Sequence, residues 1–318
     1  MLDHILVPLD GSSLAECVLP HTVALAQAFG ARVTLLRVLG RTQAADRTQA
    51  IDPLDWHIRK AEAGSYLDEV VARLQKANLR AKKAIVEGQV AERIMEFARN
   101  QEASLVILSS HGRSGLSGWN VSSVVQKIVL RACIPTMIVR AYQSITNDLK
   151  SLRYRRVLVP LDCSRRAECV LPLATTLASF HKSQLLLTHV VRRPEMVRRA
   201  LPTQEEIELV NRLTEHNRVE ANKYLEQLQS RLPSDVHLCL PVDDNAAATL
   251  HEMVEQENVD LVVLSAHGHS GGTRWPYGSV TLNFIAYGTT PLLIVQDLSQ
   301  DELESTQAEM ATREHKGH

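Results

Sequence analysis

The sequence predicts an α/β fold built twice: two tandem doubly wound domains, each a five-stranded parallel sheet with helices on both faces. Three observations predict it. The 318 residues are about two domains' worth of chain at roughly 150 residues each. Residues 4–26, HILVPLDGSSLAECVLPHTVALA, align without a gap onto residues 156–178, RVLVPLDCSRRAECVLPLATTLA, with 14 of 23 positions identical. Within each copy, short apolar β-branched runs alternate with longer stretches whose apolar residues recur every three or four positions. That alternation specifies a buried parallel sheet with crossover helices.

Taken in order, HILVPL, VTLLRVL, LVILSS and TMIVR are continuously apolar, as strands buried on both faces must be. The echo of the first copy continues at LLLTHV from Leu185, LVVLSAHG from Leu261 and PLLIV from Pro291, the last two after a four-residue shift of register. Trp56–Lys76 and Glu205–Arg231 carry helical periodicity. Ser13-Leu14-Ala15-Glu16 has the form of a capping box before the first helix, with Arg165 in the matching place of the second copy. Pro20 and Pro172 within that helix predict a kink or a late start. The resulting division is a first domain over 1–142, a polar linker over 143–155, a second domain over 156–297 and a flexible tail over 298–318, rich in Glu, Gln and Lys.

Composition narrows the function. Thirty-five Lys and Arg nearly cancel 36 Asp and Glu, so no excess positive field gathers a nucleic acid. No apolar run approaches the roughly 18 to 20 residues needed for membrane insertion, and MLDHILVPLD lacks the basic start of a signal peptide, so a cytoplasmic location is expected. Five cysteines without a CxxC pair fit a reducing compartment and read as small core fillers.

Ligands of open α/β sheets bind beyond the carboxyl ends of the strands, where strand order reverses. With the Rossmann-like order 3-2-1-4-5, that place lies between strands 1 and 4. Strand 1 ends in Pro8-Leu9-Asp10 and Pro160-Leu161-Asp162; strand 4 ends in Ser109-Ser110-His111-Gly112 and Ser265-Ala266-His267-Gly268. The following loop runs into a helix through Ser122-Ser123-Val124 and Gly278-Ser279-Val280. A helix start exposes unpaired amides and about half a positive charge, and glycine lets a phosphate approach it. Asp10 and Asp162 could accept a hydrogen bond from an exocyclic amino group such as adenine presents, or could cap their own turns as Asx residues.

VLVPLD at the first strand, then SxHG, nine residues and GS before the last helix, resembles the universal stress protein family in its tandem form. The resemblance covers nearly the whole chain apart from the linker and tail. The family's nucleotide pattern is Gly, two residues, Gly, nine residues, Gly, then Ser or Thr. It maps onto Ser265, Gly268, Gly278 and Ser279 in the second copy, with one glycine replaced, and onto Ser109, Gly112, Ser122 and Ser123 in the first, with two replaced. A serine adds a side chain where phosphate must come close, and costs more if φ is positive there. The resemblance therefore implies ATP, arriving with Mg2+, more readily in the second copy. Asp162 and Asp10 would face the adenine, Val190 and Val38 would pack near it, and Gly268, Gly278 and Ser279 would hold phosphate. It also implies a stress-response regulator. Any hydrolysis is expected to be slow, since no clear general base aims at a γ-phosphate, and the two domains are expected to pair with each other, with a homodimer as a further expectation.

Other fingerprints point elsewhere. A nucleotide-free interaction scaffold, its copies paired through PTMIV and PLLIV, is the alternative from another class. Gly268-His269-Ser270-Gly271-Gly272 matches the G-x-S-x-G elbow of serine hydrolases, with Asp297 or Asp301 and His315 as the available partners, but Pro276 interrupts the helix such an elbow requires. No G-x-x-x-x-G-K-[ST] occurs, and the turns DGSS and DCSR are not G-x-G-x-x-G. His267-Gly-His269 lacks a third metal ligand.

Overall fold

In the computed structural model, residues 2–40, 53–112, 121–132, 134–141, 148–194, 203–233, 235–269 and 277–297 are described. The chain divides into two compact units, Met1–Arg153 with Ile285–Leu293, and Tyr154–Phe284 with Ile294–His318. Tyr154, expected in the linker, is fully buried, and its carbonyl accepts from Ser183 Oγ at 2.6 Å.

The first half runs β1 (His4–Pro8), α1 (Val18–Phe29), β2 (Arg32–Leu39), α2 (Pro53–Lys76), β3 (Ala81–Glu87), α3 (Val90–Asn100), β4 (Leu105–Ser109), α4 (Ser123–Arg131) and β5 (Thr136–Val139). Its strand order is β3-β2-β1-β4-β5, parallel throughout the registered pairs, with His4 opposite Arg32 and Ile5 opposite both Val33 and Leu105. Ile5, Leu6 and Val7 are fully buried because β1 is central and helices cover both of its faces.

The second half repeats this with β6 (Arg156–Pro160), α5 (Leu171–His181), β7 (Gln184–Thr188), α6 (Gln204–Gln229), β8 (Asp235–Cys239), α7 (Ala246–Gln256), β9 (Leu261–Ser265), α8 (Ser279–Tyr287) and β10 (Leu292–Val295). The order β10-β9-β6-β7-β8 is the same 3-2-1-4-5 arrangement read within this half.

The helix after the first strand starts late in both halves. A 3-10 turn, Ala15–Cys17 or Ala167–Val170, precedes α1 and α5, so that Pro20 and Pro172 fall in the first turn of the α-helix, where a missing amide costs nothing. The capping box expected at Ser13 and Glu16 does not form. Ser12 Oγ accepts from Ala15 N at 3.2 Å, and Ser164 Oγ from Ala167 N at 3.2 Å, so the cap sits one residue earlier and both copies keep it. Glu16 instead pairs with Arg73 at 2.6 Å, while Glu168 accepts from the Tyr224 hydroxyl at 3.1 Å.

The cysteines are not uniformly core fillers. Cys17 is buried, but Cys163 is exposed and Cys169 and Cys239 are half-buried; Cys133 lies outside the described residues. Burial raises the Cys17 thiol to about 11, partly offset by its hydrogen bond to Ser109 Oγ. Burial and the nearby Asp162 raise Cys163 to about 11, and burial and Asp297 raise Cys169 to about 12. None of these three is a thiolate at neutral pH.

Candidate functional site

The second half's crevice is built from the turn after β6 and the loop after β9. In the turn, Asp162 Oδ1 accepts from Ser164 N at 3.1 Å and from Ser164 Oγ at 2.6 Å, an Asx turn that also positions the helix cap. Its other oxygen, Oδ2, accepts from His269 N in the loop. The carboxylate thus ties strand 1's end to strand 4's end. Gly268 is the residue that permits this: a Cβ there would overlap Asp162 Oδ2 and lie 3.0 Å from its Cγ.

Further bonds hold the loop. Ser265 Oγ donates to His267 O at 2.6 Å, and Thr281 Oγ1 of α8 donates to Ser265 O at 2.8 Å. Gly278 N donates to Ala266 O at 2.7 Å, so the residue that opens α8 is stapled to the loop's first residue. The crevice encloses about 430 Å³, and Pro160, Leu161, Asp162, Val190, Ser265, Gly268, Gly278, Ser279 and Val280 all line it. Residues separated by more than a hundred positions in sequence meet there because parallel strands end on one edge.

The first half builds the same crevice, of about 370 Å³, lined by Asp10, Val38, Ser109, Gly112, Ser122 and Ser123. Asp10 Oδ1 accepts from Ser12 N at 2.9 Å and Ser12 Oγ at 2.6 Å, and a Cβ on Gly112 would overlap Asp10 Oδ2. In both halves, then, the Asx turn is formed. Ser109 Oγ donates to His111 O at 2.6 Å, so Ser109 and Ser265 are loop braces in matching positions.

The two helix starts differ in their side chains and not in backbone strain. Ser122 has φ −69°, an ordinary value that carries no left-handed strain, and a Cβ at Gly278 would meet nothing closer than 3.6 Å. The real difference is chemical: Ser122 is the N-cap of α4, its side chain accepting from Val125 N at 3.3 Å. It occupies one of the amides that a phosphate would use, whereas Gly278 has no side chain to do so.

Several lining residues escape sequence reasoning. Arg37 Nη1 donates to Leu9 O at 3.2 Å; His189, at the matching position, meets Leu161 O through Nδ1 at 2.9 Å. Apolar walls come from Val90 and Ile94 of α3 and from Ala246 and Leu250 of α7. Asp297, considered as the acid of a serine triad, is engaged otherwise: its Oδ1 accepts from His267 Nδ1 at 2.8 Å and His267 N at 3.0 Å, and its Oδ2 faces Arg166 Nε at 3.2 Å. Ser270, Gly271, Pro276, His315 and the tail over 298–318 lie outside the described residues. The one signal for Asp297 is its place directly beyond PLLIV, at the strand edge where ligands bind.

Among the described residues, no group of three or more His, Cys, Asp or Glu side chains is gathered as for a metal ion, and no helix is long and apolar enough to cross a membrane. The universal stress protein family model matches the chain twice, at residues 1–140 and 153–296. A universal stress protein of Methanocaldococcus jannaschii is 26% identical over 162 residues, covering 46% of this chain and 97% of that protein. One from Mycobacterium bovis is 24% identical over 256 residues, 77% of this chain and 80% of its own. The crystal structure of a universal stress protein from Archaeoglobus fulgidus overlaps 94% of this chain and 100% of its own at a TM-score of 0.65 and 17% identity, a likeness of fold. Two matches end to end, on halves that each carry the 3-2-1-4-5 sheet, lead to one conclusion: the chain belongs to the universal stress protein family, in its tandem two-domain form.

Proposed function

We propose that the chain binds an adenine nucleotide, ATP with its Mg2+, in the second crevice, and works as a cytoplasmic stress-response regulator whose surface or subunit contacts respond to the bound nucleotide. The observation that carries this reading is Gly278 at the start of α8: it lines the crevice, carries no side chain, and precedes amides and a helix dipole that favour an anion. A volume of about 430 Å³ lies in the range of roughly 300–1,000 Å³ typical of small-molecule sites.

In this reading Gly268, Gly278 and Ser279 hold the phosphates. Val190 and Leu250 supply apolar surface for the base, and Asp162 borders the adenine end while bracing the loop. Hydrolysis is slow, because the one carboxylate among the described residues lining the crevice, Asp162, is taken up by Ser164 and His269.

Calorimetric titration of the full chain with ATP and Mg2+ tests it. The reading expects one strong equivalent, and a second on Ser122→Gly, which releases the amide capped in the first crevice. No heat and no saturation at millimolar ATP would replace it with a nucleotide-free scaffold.

A further inference from the structure

Behind the crevice walls the two copies also differ by three linked substitutions. Where the first copy has Leu14, Ser110 and Ala141, the second has Arg166, Ala266 and Asp297. In the first copy, Ser110 Oγ meets His111 Nδ1 at 3.1 Å and accepts from Ala141 N at 3.0 Å. In the second copy the hydroxyl is gone, and Asp297, beyond β10, does its work with a charge. One carboxylate oxygen takes both the His267 backbone amide and its ring, and the other faces Arg166 across an ion pair that falls short of hydrogen-bond alignment.

The Asp297 and His267 side chains are each only 1% exposed. Withdrawing a carboxylate from water is costly, and a neutral serine already meets the matching histidine ring one copy away. What the charged version adds is reach. Arg166 stands in the turn that follows Asp162, and His267 stands in the loop that carries Gly268, so the ion network spans the two walls between which the crevice opens. Leu14 has no charge with which to form that tie.

We infer that Asp297 and Arg166 are positioning residues that set the second crevice's nucleotide affinity by fixing the loop at His267–His269 against the turn at Asp162. This rests on the nucleotide reading above for its ligand, but not for its geometry.

The test uses two readouts on the full chain: amide exchange at residues 267–269, which needs no ligand, and binding of ATP with Mg2+. Asp297→Ala is expected to speed exchange at these amides and weaken ATP binding at the second crevice, each by about tenfold, as a locally loosened loop would. The triple change Arg166→Leu, Ala266→Ser, Asp297→Ala installs the first copy's solution for the histidine ring and is expected to return exchange at 268 and 269 to within about threefold of wild type. Arg166→Leu alone leaves the His267 bonds intact and covers the case in which Asp297→Ala fails to fold; it is expected to shift both readouts about threefold in the same direction. Unchanged exchange at 267–269 in the single variants, or a folded triple variant without recovery, overturns the inference. If wild type binds no ATP, the functional reading falls, and the exchange data still decide whether the network positions the loop.

Discussion

The carboxylate of Asp162 occupies the space that a side chain on Gly268 would need, and the two residues come from loops more than a hundred positions apart. The same relationship recurs between Asp10 and Gly112. Glycine is required there by close approach, since neither Gly112 nor Gly268 has a positive φ. Gly268→Ala must therefore push Asp162 aside, break its bond to His269 and destabilise the second half by on the order of 1–3 kcal/mol. Gly278→Ala meets nothing closer than 3.6 Å and is expected to change stability by less than about 0.5 kcal/mol. Urea melts of the two variants, side by side, check this contrast.

Ser164 serves two bonds at once, donating to Asp162 at 2.6 Å and accepting from Ala167 N at 3.2 Å. Ser164→Ala is expected to cost about 1–2 kcal/mol, the upper part of the range for a lost helix cap, because the Asx turn loosens with it. Ser164→Thr keeps the hydroxyl and should recover most of the loss in the same denaturation assay.

Acidification should weaken the fold in a defined window. Burial in α1 lowers His21 from 6.5 to about 4. Between these values the unfolded chain binds a proton that the native chain refuses, so stability is complete above about pH 6.5 and falls as pH drops toward 4. The loss is about 3 kcal/mol over the window. His4 is also lowered by burial and adds a slope of the same sign. Denaturant melts at pH 7 and pH 4.5 measure the slope, and His21→Gln should flatten it.

Much of the fold was legible because buried parallel strands write themselves as unbroken apolar runs, and because the copies repeat. HILVPL and RVLVPL could be nothing but central strands once their helices were placed. The crevice was legible for a related reason: residues at strand ends, such as Asp162 and Gly268, share one sheet edge whatever the loops do. Local spacing misled at Ser13 and Glu16, where the capping-box letters are present but the Asx turn at Asp10 hands the cap to Ser12. Asp297 read as a possible triad acid, and its bracing role was hidden because its partners, His267 and Arg166, lie 30 and 131 positions away, and only the sheet brings them together. Ser122 read as a side chain placed where phosphate must come close; the structure adds that this side chain accepts from Val125 N as the cap of α4.

On the proposed function, the side-chain-free helix start at Gly278 receives the phosphates of an adenine nucleotide. Mass spectrometry of the small molecules released by heating the purified full chain, alongside ATP titration of wild type and Gly278→Trp, tests it most directly. The expected result is an adenine nucleotide released from wild type and binding abolished in a Gly278→Trp variant that retains its fold. Gly278→Trp binding ATP as wild type does, or a wild-type chain that neither carries nor takes up nucleotide at millimolar concentration, would contradict it.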